Sequence, residues 1–329
     1  MVAETLDKSI EAYLESVSLA RSPNTARTYR NALSAFIQTL EKQGIDIDSY
    51  PTTKSSENWI ADFTADLKIY APASERLYLT AVSGWYEFLV AERMAEVNLP
   101  RLRLMIRRRA RRPGQRLPQF PQTEIEKIIN YAINLADAHH EDERARLRNL
   151  RDRAYLLTLA DTGLRVQEIC NLRRGDVDWN EGRALLIGKG DRQAVVRFSR
   201  RVLSSLKDYL SVRSKWDGTS GRPLHALPLF ARHDRGAGKK ILPITTTTGR
   251  AIVHQRARES IGEEVQGSIT PHSFRHYFVT TVLRASGGNL KLAQELARHR
   301  NIAVTQRYAH LSDDELDRGY HEIFNTLSE

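Results

Sequence analysis

The chain has 329 residues, 41% of them apolar and 27% charged, with a net charge of +10. That length allows two domains and a well-buried core, and the composition excludes extensive disorder. No apolar run reaches the length of a membrane span, and a single cysteine excludes an internal disulfide.

The first residues carry Glu4, Asp7, Glu11 and Glu15, unlike the basic-then-apolar pattern of a secretory leader. Residues 1–96 hold 9 Lys/Arg against 14 Asp/Glu, residues 97–123 hold 8 arginines and no acid, and residues 124–329 hold 33 basic and 26 acidic residues. The positive charge is therefore concentrated in the middle and C-terminal parts, which points to a polyanionic partner. Arginine outnumbers lysine 39 to 11, which suits bidentate phosphate contacts but also follows from a G+C-rich genome.

Residues 1–98 read as a small helical domain. Leu6, Ile10, Tyr13, Leu14 and Val17 recur at helical spacing. Ser22-Pro23-Asn24-Thr25 opens a second helix with Tyr29, Leu33, Phe36, Ile37 and Leu40 on one face, and Gly44 closes it. Further helices are expected over 55–69 and 73–95. Residues 99–118 read as an arginine-rich linker: Arg101, Arg103, Arg107, Arg108, Arg109, Arg111, Arg112 and Arg116, with Pro100, Pro113 and Pro118 as breakers. A solvated charge run is the bland account, and a strap along a phosphate backbone is the functional one.

Residues 119–329 read as a second domain. Thr123 and Glu126 suggest a capping box before Ile125, Ile128, Ile129, Ala132 and Ile133. His139-His140-Glu141-Asp142 has metal-ligand types, but a polar run of neighbours reads as a solvated loop, and no metal is expected. Cys170 follows Ile169 in an apolar stripe and is expected to be a buried structural thiol. Arg183 to Ile187 and Gln193 to Phe198 flank the turn Gly188-Lys189-Gly190-Asp191 and form the one clear sheet element. A last amphipathic helix is expected over 312–329, with Ser312 and Glu315 as its capping box. The expected fold is mainly α with a small antiparallel β-hairpin or sheet.

Candidate chemistry lies in four short motifs. His272-x-x-Arg275 is expected about once by chance in this composition, so its setting must decide. Thr270 is placed as an N-cap and Pro271 as the first helical residue, so His272 and Arg275 share one face at a helix start that favours an anion. His276 is expected to point elsewhere, and no third ligand makes a metal site of it with His272. Arg165 follows Gly163, which looks like a helix end, and is equally read as a surface partner of Glu168. Lys189 is either an ordinary turn lysine or a mobile tip that carries its ammonium group into a DNA groove. His299 precedes Tyr308 by nine residues.

Taken in order, Thr162-Gly163-Leu164-Arg165, Gly188-Lys189-Gly190, Thr270-Pro271-His272-Ser273-Phe274-Arg275-His276 and His299 with Tyr308 resemble the tyrosine recombinase (phage integrase) family. The resemblance covers the whole catalytic domain, and a weaker one over Ser22 to Leu40 and Ser74 to Leu89 resembles the family's helical, SAM-like core-binding domain. One departure stands out: Arg298 occupies the position where glycine usually precedes the histidine.

The resemblance implies a two-domain clamp around double-stranded DNA. It makes Tyr308 the nucleophile that forms a 3′-phosphotyrosine and frees a 5′-hydroxyl, so that neither ATP, a metal nor another cofactor is needed. It further implies that Arg165 and Arg275 clamp the phosphate oxygens, Lys189 protonates the leaving oxygen, His272 assists proton transfer at the tyrosine, and His299 binds a phosphate oxygen. Glu168 would orient Arg165 or His272. Four protomers on two duplexes would be needed for recombination, starting from a free monomer, with the tail over 312–329 docking on a neighbour or on its own domain. The work would be cytoplasmic and away from membranes, and the lack of an added N-terminal domain favours a simple Xer-like or Cre-like system. The alternatives are a catalytically silent DNA-binding regulator, or a type IB topoisomerase or telomere resolvase.

Overall fold

The computed structural model describes residues 4–111, 121–137, 142–187, 193–238, 240–262, 269–306 and 308. They fall into two compact units, residues 1–116 and 117–329, each with its own apolar core.

The first unit is helical: α1 (Leu6–Ala20), α2 (Pro23–Lys42), α3 (Trp59–Asp66), α4 (Pro72–Ala91) and α5 (Leu99–Arg109). Leu6, Ile10, Tyr13 and Val17 are the buried stripe of α1, as their spacing predicts. The Ser22 hydroxyl accepts the Thr25 N–H and Pro23 sits in the first turn of α2, as the capping signal predicts. Phe36 lies at the centre, edge-on to Phe63 at 5.1 Å and against Trp85 at 5.6 Å. Burial of each such side chain contributes about 1.5–3 kcal/mol before the entropy of ordering it.

Residues 99–109, the first part of the segment read as an arginine-rich linker, form a helix. Asn98 caps α5 by accepting the Arg101 N–H at 2.9 Å. Pro100 stands in the first turn, where its missing N–H costs nothing, so it starts a helix instead of breaking one. Leu102 is fully buried in the core. Arg101 pairs with Glu57 at 2.8 Å and Arg103 with Glu87 at 2.7 Å. Just past the helix, the wholly buried Glu75 accepts the Arg111 N–H at 2.9 Å and its Nε at 2.5 Å, and pairs with Lys68 at 2.9 Å. The chain thus stays tied to its own unit as far as Arg111.

The second unit contains α6 (Gln122–Asn134), α7 (Glu143–Thr162), α8 (Val166–Asn171), strands β1 (Val177–Asp178), β2 (Arg183–Ile187) and β3 (Gln193–Arg197), then α9 (Arg200–Gly218), α10 (Thr246–Ile261), α11 (Pro271–Ala285), α12 (Leu290–Ala297) and α13 (Ile302–Gln306). Helix α7 is buried along most of its length. Helix α6 starts two residues earlier than its sequence signal: Gln122 is its first residue and donates to Glu126 at 2.8 Å, so the Thr123 capping box does not form.

The sheet is antiparallel in the order β1-β2-β3. Strand β1 is an addition to the expected hairpin, too short at two residues to show any alternation in sequence. Ala184 faces Val196 across β2 and β3 on the buried side, while Leu185 faces Val195 on the exposed side. Lys189 and its turn, Arg112 and Arg116, His139 to Glu141, and the expected tail helix over 312–329 lie outside the described residues.

Two buried ionic groups brace this unit. Asp152 bridges Arg151 and Arg256, each at 2.7 Å, and Asp217 holds Arg174 at 2.6 Å and the fully buried Arg213 at 2.9 Å. Cys170 is buried beneath α10, and burial pushes its thiol up to about 11, as befits an inert structural sulfur.

Candidate active site

Three segments of the second unit meet at one place. The first is the end of α7, where Gly163 adopts a left-handed φ of +57° and its N–H returns to the Leu159 carbonyl at 3.1 Å. Only glycine suits this turn, because a Cβ here would stand 2.5 Å from the Phe278 ring. The turn places Arg165 at the cap of α8. The second segment is the start of α11. Thr270 caps it and Pro271 occupies the first turn, as the sequence predicts, and the Thr270 N–H donates to the Ser273 hydroxyl at 3.1 Å. This helix carries His272, Arg275 and His276. The third segment runs from the end of α12 through Arg298 and His299 to Tyr308.

Arg275 joins all three. It is 2% exposed, and its Nη1 donates to the Gly163 carbonyl at 2.5 Å while Nη2 donates to the Ala297 carbonyl. One guanidinium thus ties the turn bearing Arg165 to the turn bearing His299. Burial, then the nearby Arg165 and Arg298 charges, push it down to about 10.

Arg165 is about half exposed and pairs with Glu168 at 2.7 Å, the local pair its sequence allows. The other Glu168 oxygen accepts the Arg165 backbone N–H at 2.9 Å and lies 3.4 Å from Arg298 Nη2. Burial opposes the Glu168 charge, but the bonds from Arg165 and the proximity of Arg298 outweigh it and hold the carboxyl below its usual range. Of the two partners expected for Glu168, these bonds orient Arg165 and not His272.

Tyr308 is half-buried against Val279, Leu283, Ala293 and Ala297. The His276 ring stands edge-on to it at 4.7 Å and edge-on to His272 at 4.4 Å. His276 therefore does not point elsewhere, as its place beside Arg275 suggests. It lies one helical turn from His272, at the i,i+4 spacing that puts two side chains on one face. That spacing is the signal in the sequence, and it marks a shared face even where no metal is held.

His299 is nearly buried, stacks on Tyr308 at 6.2 Å, and its Nδ1 is 2.9 Å from the Thr305 hydroxyl. Burial first, then the neighbouring arginines and, for His276, the adjacent His272 ring, hold His276 and His299 near pKa 4 and lower His272. The imidazoles are thus neutral near pH 7, able to accept a proton or share one.

Arg298 caps α12 with φ +57° and ψ +43°. A residue with a Cβ in this conformation costs about 1–2 kcal/mol relative to the right-handed form, which is why a glycine suits the position. The unusual arginine therefore leaves the backbone left-handed and adds a guanidinium, 12% exposed, to the wall of the site.

The site gathers Arg165, Arg275 and Arg298 near the Glu168 carboxylate, with three imidazoles and a phenol alongside. Such a cluster suits a phosphate and a nucleophilic oxygen. On α5 of the first unit, Arg107, Arg108 and Arg109 are exposed, and their side chains carry no ion pair among the described residues. No group of His, Cys, Asp or Glu placed to hold a metal occurs among the described residues, and no described helix is long and apolar enough to cross a membrane.

The Phage integrase family matches residues 119–315, and the Phage integrase, N-terminal SAM-like domain matches residues 10–93. Tyrosine recombinase XerD of Mycobacterium tuberculosis (strain ATCC 25618 / H37Rv) is 29% identical over 317 residues, covering 93% of each chain. Tyrosine recombinase XerC of Proteus mirabilis is 25% identical over 327 residues, covering 97% of this chain and 94% of that protein. In fold, the chain is similar to XerH site-specific recombinase bound to difH substrate (TM-score 0.66, 17% identity, 96% of this chain and 84% of that chain). It is also similar to a lambda integrase dimer bound to a COC′ core site, in the 75–356 form (TM-score 0.63, 18% identity, 93% and 96%).

Proposed function

The chain belongs to the phage integrase family and is a site-specific DNA recombinase of the tyrosine type, and we propose that Tyr308 is its nucleophile. The observation that carries this assignment is the single buried Arg275, which holds the Arg165 turn and the His299 turn together beside the Tyr308 ring.

In the proposed cycle the Tyr308 oxygen attacks the scissile phosphorus and forms a P–O bond as the bond to the 5′-oxygen breaks. The phenolic proton passes to the imidazole pair of His272 and His276, and Lys189 supplies a proton to the departing oxygen. Lys189 carries this role on its motif, between strands β2 and β3. A phosphodiester has one negative charge and the pentavalent phosphorane has two, so Arg165 and Arg275 bind the transition state more strongly than the ground state. His299, steadied by Thr305, donates to a phosphate oxygen. Rejoining reverses these steps with the 5′-hydroxyl of a second strand, and the phosphotyrosine conserves the bond without an external energy source.

Each protomer offers one such tyrosine, and two duplexes present four strands, so exchange calls for a homotetramer assembled from monomers on DNA. The exposed Arg107, Arg108 and Arg109, with Arg112 and Arg116 beyond them, are proposed to follow the phosphate backbone. Residues 1–98 act in this reading as the core-binding domain and residues 119–329 as the catalytic domain, working on DNA in the cytoplasm. The decisive experiment uses duplex DNA with a nick beside the cleavage point, so that the freed strand diffuses away. A covalent adduct should accumulate with the wild type and be absent with Tyr308→Phe; its absence from the wild type despite site binding would refute the assignment.

A further inference from the structure

We propose that Arg298 is a positioning residue for cleavage, holding the Glu168 carboxylate so that Arg165 can leave it for the scissile phosphate. The inference rests on the reading of Arg165 as a phosphate clamp and adds a residue to it.

Glu168 lies between two arginines. Its Oε1 holds Arg165 Nη1 at 2.7 Å, and its Oε2 lies 3.4 Å from Arg298 Nη2. The two guanidiniums differ in freedom. The Arg165 side chain is 51% exposed, so little restrains it from turning toward an anion. Arg298 is confined: its side chain is 12% exposed, its Nη1 donates to the Leu296 carbonyl at 3.2 Å, and its backbone occupies the left-handed region that glycine ordinarily fills.

This arrangement resolves a conflict in the site. The close pair with Glu168 keeps Arg165 ordered without DNA, yet the same pair competes with phosphate for its donors. When Arg165 turns to a phosphate oxygen, Glu168 would be left partly buried and short of a partner, at a cost that opposes the move. Arg298 removes much of that cost. Its Nη2 is already near contact distance, so the carboxylate can exchange one guanidinium for another with a small movement. The exchange also leaves three guanidiniums against one carboxylate around the developing phosphorane.

The test uses Arg298→Gly, Arg298→Lys and Glu168→Gln with the nicked substrate, reading DNA affinity and adduct-forming rate separately. Glycine is at home at this φ, so Arg298→Gly should fold with an unchanged or higher melting temperature. Its binding should stay within about twofold of wild type while its cleavage rate falls roughly five- to twentyfold, the range of a local coupling. Lysine should restore part of the rate. In the Glu168→Gln background, with no carboxylate to hold, Arg298→Gly should cost little further. Wild-type cleavage by Arg298→Gly, an equal loss of affinity and rate, or a full additional loss in the Glu168→Gln background would each overturn the proposal. Failure of the wild type to form an adduct would instead overturn the reading of the site on which it rests.

Discussion

Arg275 and Gly163 stand 112 residues apart in sequence, yet the guanidinium of one donates to the carbonyl of the other at 2.5 Å. The contact explains why a buried arginine and a left-handed glycine belong to one device. The positive φ of Gly163 turns the chain out of α7 and presents its carbonyl to α11, and the same turn delivers Arg165. Arg275 is held by protein carbonyls before any phosphate arrives. Its position therefore costs nothing at the moment of reaction, which is the condition for a strong electrostatic contribution.

Gly163→Ala tests this directly. The new Cβ meets the Phe278 ring at 2.5 Å and sits at a φ that alanine avoids. The variant should lose roughly 1–3 kcal/mol of stability. Cleavage should fall further than that loss explains, because Arg165 and Arg275 shift together. Thermal melting and single-turnover cleavage at a temperature where the variant is folded separate the two effects. Full cleavage by folded Gly163→Ala would show that the turn does not set the clamp.

The histidines give the stability a particular pH dependence. His276 and His299 are held near pKa 4 and His233 near 3, burial being the first cause in each, against an unfolded value near 6.5. Groups lowered in this way favour the folded state above pH 6.5, and that advantage disappears as pH falls toward 4. The carboxylates that are also lowered, Asp66, Glu75, Glu168, Asp234 and Glu259, lose their contribution only below their ordinary values near 4 and so do not shape the range from pH 7 to pH 5. The melting temperature should therefore drop between pH 7 and pH 5. His233→Gln keeps an acceptor for the Tyr209 hydroxyl, which now lies 2.7 Å from the ring, and should make the drop shallower. An unchanged drop would place the acid sensitivity in other groups.

Much of the site is legible in the sequence because its signals are local. The Thr270 cap, the Pro271 start and the Gly163 turn each depend on backbone geometry within a few residues, and all three form where the sequence predicts them. The features that sequence hides depend on packing. Helix α5 is hidden because its arginines mask a stripe in which Leu102 alone is fully buried, and because Asn98 and Pro100 form a helix start in a segment with the composition of a linker. The role of His276 is hidden because its partner Tyr308 is 32 positions away in sequence and meets it only through the fold. Arg298 stands out in sequence as an anomaly, but its pairing with Glu168 does not, since the two are 130 residues apart.

Helix α5 sorts the basic segment into two kinds of arginine. Arg101 and Arg103 are committed to Glu57 and Glu87, while Arg107, Arg108 and Arg109 are exposed past them. Replacing the last three with glutamine should weaken DNA binding and flatten the dependence of log K on log salt, by up to about 0.9 for each phosphate left without its arginine. Arg101→Gln should alter the salt slope less and show its effect in the stability of the first unit. Titrations at several salt concentrations distinguish these outcomes, and equal slopes for all variants would remove the phosphate-strap assignment.

His276 gives the sharpest test of the proton path at Tyr308. Its ring lies between the tyrosine and His272, edge-on to both, at 4.7 and 4.4 Å. A phenylalanine there preserves an aromatic edge of similar size and removes the nitrogens. If His276 serves only packing, His276→Phe should cleave nearly as fast as wild type. If it relays or accepts the phenolic proton, the rate should fall by about 100-fold or more while DNA affinity holds, the usual scale for losing a general base. His272→Phe should then show a loss of similar size, and the double variant should be little worse than either single one, since two members of one relay fail together. Independent, multiplying losses would mean that the two imidazoles serve separate steps, His276 at the tyrosine and His272 at the phosphate.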